Sequence, residues 1–275
     1  MTHPREGFAT SYAVELLFEL DPGIDPDRLI PLLEADSRLG TPLHESYGIR
    51  IAYADAETSE AGFVIELPPR RAAPDRFEQS LRQSYSWDEA RSRTGLCTRS
   101  ITVRDVRASS LDFATRLEAF QRCLLAVLAI APCQAIHWIE TRQIVDPAAL
   151  IAAIDHDGFR TFLGALNIRL FRITEFEDGE RLPEPEIIMD TLGLSALGLD
   201  DLQCHFRRLE PQAVGHVLFD AALSLVQNGR VIHGGDELRG LQPGERWKCE
   251  MEDALVEPKR VVIDVDPGGE WSGTR

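Results

Sequence analysis

Asp190-Thr191-Leu192-Gly193-Leu194-Ser195-Ala196-Leu197-Gly198-Leu199-Asp200-Asp201-Leu202-Gln203-Cys204-His205-Phe206 sets two glycine turns and an acidic pair between two apolar runs. That is the pattern of one strand turning into the next, so residues 186–192 and 202–209 are predicted as strands flanking a turn. Downstream, Pro211 suits the first turn of a helix whose Val214, Val217, Leu218, Ala221 and Leu225 face inward. Gln212, His216, Asp220 and Ser224 fall on its outer face, and Asn228-Gly229 ends it. Ile232-His233-Gly234-Gly235-Asp236 then reads as a turn, followed by strands near 246–250 and 260–265. Residues 268–275, rich in glycine, are expected to be disordered.

Working back from the signature, residues 178–185 are acidic with two prolines and read as a surface loop, and residues 166–176 as a strand. Asp146-Pro147 opens a helix that Gly158 should stop. Over residues 112–130, Phe113, Leu117, Phe120, Leu124, Val127, Leu128 and Ala131 share one helical face, so this helix should be deeply buried. Residues 135–141 and 97–106 read as strands, and 74–93 as one broken helix or two short ones. The start is a βαββ passage: a strand at 12–20, a helix after Asp25-Pro26 with Pro31 inside it, then strands at 47–53 and 62–67. The result is an α+β chain of mostly antiparallel or mixed sheet with helices packed on one face. Three strand, helix, strand passages leave open two similar lobes, which we expect to divide as 1–142 and 143–267.

The 275 residues, 44% hydrophobic, are enough for one large or two modest cores. The longest apolar run, residues 123–136, holds Pro132 and Gln134 and falls short of the roughly 20 residues a bilayer span needs. The first residues lack the features of a secretory signal, so the bacterial cytoplasm is the expected compartment. Five widely spaced cysteines without a Cys-x-x-Cys suit a reducing compartment, as buried free thiols. A net charge of −16 argues against direct nucleic-acid binding, which needs clustered Lys and Arg, and favours a basic partner.

No established catalytic signature appears. The Gly193 to Gly198 spacing is one residue longer than the Gly-x-Ser-x-Gly elbow that exposes a nucleophilic serine, and a strand rather than a helix follows. His205, His233, Asp236 and Cys204, with His137 and Glu140, could assemble a metal site, yet none shows a dense ligand spacing. Glu257-Pro258-Lys259 has the look of a nuclease Glu-x-Lys, but proline mid-strand and the acidic surface count against it. His233-Gly234-Gly235-Asp236 is no phosphate cradle, because Gly240, Pro243 and Gly244 prevent a helix from starting behind it. No metal or cofactor is expected.

The order of these pieces resembles the bacterial family catalogued as domain of unknown function 4261. The Thr191-Leu192-Gly193-Leu194 turn, the acidic pair, the amphipathic helix and the Ile232 to Asp236 turn carry it, with Trp87-Asp88-Glu89-Ala90 and Ala135-Ile136-His137-Trp138 upstream. Leu197 and Glu237 depart from the aromatic and threonine common in the family. The resemblance implies a fold and assigns no activity; such families often sit among bacterial secretion and toxin-immunity genes. The expected function is therefore a non-enzymatic binding protein, an immunity protein or adaptor that neutralises a basic, nucleic-acid-directed toxin or effector. Its partner-binding residues would be Glu175, Glu177, Asp178, Glu180, Glu184 and Glu186, on the acidic, proline-stiffened loop. The alternative is a small hydrolase or metal-dependent enzyme using Thr191, Ser195, His205, His233 and Asp236, between the 191–198 and 233–236 turns.

Overall fold

A computed structural model describes residues 12–54, 61–84, 86–108, 113–159, 161–175 and 181–274. The fold is α+β, and the described chain forms two compact units, residues 12–165 and 166–274.

The first unit is built on strands β1 (Ala13–Phe18), β2 (Leu39–Glu45), β3 (Gly48–Tyr53), β4 (Gly62–Glu66), β5 (Arg70–Arg71), β6 (Arg99–Val106), β7 (Ala135–Trp138) and β8 (Gln143–Val145). They run in the order β2-β3-β4-β6-β1-β7-β8, with β5 also on β6, and every pairing is antiparallel. β1 is central and all six of its residues are buried. Helix α1 (Pro26–Glu34) starts where Asp25 accepts from the Asp27 amide at 3.0 Å, and Pro31 lies within it. Two short helices, α2 (Glu78–Arg82) and α3 (Ala90–Gly95), follow a 3-10 turn at Pro74–Phe77, the broken helix anticipated for this stretch. Helix α4 (Phe113–Ile130) buries Leu117, Phe120, Leu124, Val127 and Leu128. Tyr12 meets Phe120 and Trp138 edge-on at 5.6 Å, which packs the α4 face against the start of β1 and the end of β7. Helix α5 (Pro147–Asp157) is capped by Asp146 and stopped by Gly158 at φ +78°, as its sequence predicts.

The second unit holds β9 (Asn167–Glu175), β10 (Arg181–Leu192), β11 (Asp201–Phe206), α6 (Pro211–Asn228), β12 (Glu237–Arg239), β13 (Arg246–Asp253) and β14 (Val261–Asp266). The sheet order is β12-β13-β14-β11-β10-β9, antiparallel except for the parallel pair β11/β14. Alternation sends Met189, Leu202, Cys204, Phe206, Ile263 and Val265 to the face on which α6 packs. An added Cβ at Gly215 of α6 would sit 3.2 Å from Met189 Cε, a measure of how close helix and sheet lie. The register sets Asp190 opposite Gln203, and Gln203 opposite Asp264, so the other face is polar. It is buried all the same: Glu186, Asp190, Asp201, Gln203 and Asp264 are almost wholly inaccessible.

Three expectations are corrected. Residues 181–185 are not loop but the first part of β10; their prolines are accommodated by a register shift between Arg181 and Glu186. The glycine-rich end is ordered through residue 274, because Ser272 bridges Phe206 and the Gly273 amide donates to the His205 carbonyl at 2.9 Å. The division expected after residue 142 would part β7 from its hairpin partner β8; the compact units divide after Ala165. Among the described residues no helix is long and apolar enough to cross a membrane.

Candidate functional site

The polar face of the second sheet is held by two arginines and two aspartates. Asp190 on β10 receives both arms of the Arg169 fork from neighbouring β9, Nε at 2.9 Å and Nη2 in a second, shorter bond. Arg260, just before β14, reaches Asp190 at 2.8 Å, Asp201 at 3.0 Å and the Thr191 carbonyl at 2.9 Å. Arg169 also donates to the Glu257 carbonyl at 2.9 Å, and Arg260 to that of Pro258 at 2.8 Å, so both arginines fix the hairpin loop between β13 and β14. The second oxygen of Asp201 accepts the Leu194 amide at 3.1 Å, and Thr191 Oγ1 accepts the Leu202 amide at 2.8 Å. These bonds tie the turn between β10 and β11 to the strands on both sides. Burial pushes the Asp201 carboxyl up, and the Arg260 charge and the Ser195 hydroxyl oppose that without cancelling it.

Two guanidinium and two carboxylate charges cancel within this lattice, and their donors and acceptors face one another. Such an arrangement positions backbone; it does not present charge to a ligand. Thr191 and Ser195 are therefore components of the turn, buried with it. Gly193 and Gly198, at φ +126° and +81°, supply the backbone conformation that the tight 193–198 turn requires.

His205 lies farther along the same face, its Nε2 2.8 Å from Glu186. The chain end closes over this pair: the Thr274 amide and hydroxyl donate to the two Glu186 oxygens at 2.9 and 2.7 Å. Burial raises the Glu186 carboxyl, but the Thr274 hydrogen bonds, with His205 and Arg207, outweigh it and hold the group below the usual carboxylate range. His233 and Asp236 sit elsewhere, in an exposed turn where Asp236 accepts the His233 amide at 2.8 Å and the Gly235 amide donates to Cys249 of β13 at 2.7 Å. The 191–198 turn joins β10 to β11, two places from β13, and Arg230, three residues before His233, donates to the Gly198 carbonyl at 2.9 Å. Among the described residues no three His, Cys, Asp or Glu side chains group to hold a metal. His137, grouped with them in the sequence reading, belongs to the first unit.

Of the residues expected to bind a partner, Glu175 is exposed at the end of β9. Glu177, Asp178 and Glu180 lie outside the described residues. Glu184 is half-buried and paired with Arg208 at 2.8 Å, and Glu186 is buried beneath Thr274. Sequence reasoning missed Arg169 and Arg260; their signal was an arginine beside apolar residues in or next to a strand, Ile168-Arg169-Leu170 and Arg260-Val261-Val262, where an unpaired charge would be too costly to bury. Burial pushes the Cys123 and Cys133 thiols up to about 12 and those of Cys97 and Cys249 to about 11, so these cysteines stay protonated near neutrality and are poor nucleophiles.

The fold thus defines an α+β protein with a mixed second sheet whose signature turn is pinned by buried ion pairs. Residues 190–266 match the family model described as Domain of unknown function (DUF4261). The match takes in Asp190, Thr191, Asp201 and Arg260, so most of the lattice lies inside it. No curated protein and no solved structure matches the chain.

Proposed function

We propose that the chain is a binding protein of the bacterial cytoplasm, an immunity protein or adaptor that neutralises a basic, nucleic-acid-directed toxin or effector domain. The observation that supports this reading is the charge. The chain carries −16, and residues 166–275 alone hold 21 Asp and Glu against 12 Lys and Arg. The lattice charges cancel internally, so the excess rests on other side chains, among them Glu175, Asp236, Glu237, Glu250 and Asp253, all exposed. A surface of that sign attracts a cationic partner from a distance and repels nucleic acid, so it suits a protein that competes with nucleic acid for a basic domain.

Affinity purification of the tagged full chain from its own host tests the reading. A basic protein encoded beside it should co-purify at low salt and dissociate as salt rises. Recovery of no stoichiometric partner, or of one with an acidic surface, would overturn it.

A further inference from the structure

The first unit contains an arrangement that the charge does not explain. Glu15 of β1 and His137 of β7 are cross-strand partners, so their side chains leave the same face of the sheet. Glu15 Oε2 lies 3.2 Å from His137 Nδ1. The other imidazole nitrogen, Nε2, lies 3.0 Å from Ser80 Oγ on α2. Arg76, one turn before Ser80, closes the chain of contacts with an ion pair to Glu15 Oε1 at 2.5 Å, and Phe77 stands edge-on to the imidazole with ring centres 5.1 Å apart. Serine and imidazole are both fixed in place. Ser84 Oγ donates to the Ser80 carbonyl at 2.7 Å and accepts the Ile144 amide of β8 at 2.8 Å, which anchors α2 on the sheet.

These are a hydroxyl, a base and an orienting carboxylate in the order that nucleophilic catalysis uses. Burial raises the Glu15 carboxyl, but the His137 hydrogen bond and the Arg76 charge outweigh it and keep the group below the usual carboxylate range. An ionised Glu15 selects the tautomer with its proton on Nδ1, which leaves Nε2 to accept from Ser80.

We propose that Ser80 is a nucleophile for acyl transfer from small esters, with His137 as its general base and Glu15 as the positioning residue. Oγ bonds to the acyl carbon as its proton passes to Nε2. The ester C–O bond then breaks, the alkoxide leaves with that proton, and water hydrolyses the acyl-serine by the same route. The limit to small acyl groups follows from burial: Ser80 is 4% exposed, while the His137 and Arg76 side chains, at 13% and 42%, mark the side open to solvent. This site goes beyond the binding reading and stands on the first unit alone.

An alkyl fluorophosphonate tests it on the native full chain. Attack forms a Ser80 Oγ–P bond, breaks P–F and passes the proton to His137, leaving an adduct that peptide mass mapping locates. The expected result is one adduct, at Ser80. His137→Asn should slow labelling on the order of 100-fold or more, and Glu15→Gln should slow it and move its pH profile. Circular dichroism of each variant separates loss of chemistry from loss of fold, and should a variant not fold, the peptide map of the unaltered chain decides. Absence of a Ser80 adduct, or labelling that a folded His137→Asn variant leaves unchanged, would overturn the proposal.

Discussion

Arg260 is the residue on which the signature turn depends, because its guanidinium serves Asp190, Asp201 and the Thr191 carbonyl together. Replacing it with methionine strands the buried Asp201 and leaves Asp190 with Arg169 alone, and the full chain should lose about 3 to 5 kcal/mol of unfolding free energy in urea. A loss below about 1 kcal/mol would mean that the lattice is ornamental. Glu186 gives a pH prediction whose sign follows from its depressed carboxyl. Its contribution is complete above the unfolded value of about 4.3 and fades as pH falls through the lower folded value. The NMR shift of the Thr274 amide, which donates to Glu186, should therefore titrate on the acid side, and the transition should vanish in Glu186→Gln; a signal unchanged down to about pH 3 would contradict this. At this scale the sequence was half legible. Asp200-Asp201 was readable as an acidic pair opening a strand, but nothing in local spacing says that Asp201 pairs with an arginine 59 residues on. The candidate site of Thr191, Ser195, His205, His233 and Asp236 was assembled from neighbours in sequence; the fold buries Thr191 and Ser195 in the turn, sets His205 against Glu186 and leaves His233 and Asp236 exposed.

Elements with strong periodicity were readable, and those decided by pairing were not. The α4 face was predicted from its apolar spacing, and Leu124 is wholly buried on it. Leu124→Ala should cost about 2 to 5 kcal/mol in chemical denaturation. β2 was not anticipated: Leu39–Glu45 shows no alternation and contains Pro42, which an edge strand tolerates because its amide has no partner to miss. The opening of β10 was hidden for a similar reason, since its charges and prolines mimic a loop. Glycine content hides the packing of residues 268–274, where Gly273 is needed for close approach; an added Cβ would lie 2.3 Å from the His205 ring. Gly273→Val should therefore loosen the closure over Glu186 and cost about 1 to 3 kcal/mol, measurable as a lower melting temperature. An unchanged melting temperature would show that the end of the chain carries no packing.

For the whole molecule, composition gave the fold class and the sign of the charge, while the division into units depended on contacts no composition shift reveals. Residues 143–165 look like the start of a new lobe because Asp146-Pro147 opens a helix, yet β8 pairs with β7 and the Thr141 hydroxyl donates to the Gly164 carbonyl at 2.7 Å. The same distinction governs function. Charge is a property of the whole surface and is read from the sequence directly, whereas the serine, imidazole and carboxylate of the first unit come from positions 80, 137 and 15 and are joined by the fold alone. The binding reading is tested most directly by the association rate of the purified chain with its co-purified partner, measured from low to physiological salt. Electrostatic recognition predicts a rate that falls on the order of tenfold or more across that range while the dissociation rate changes little. An association rate indifferent to salt would contradict it.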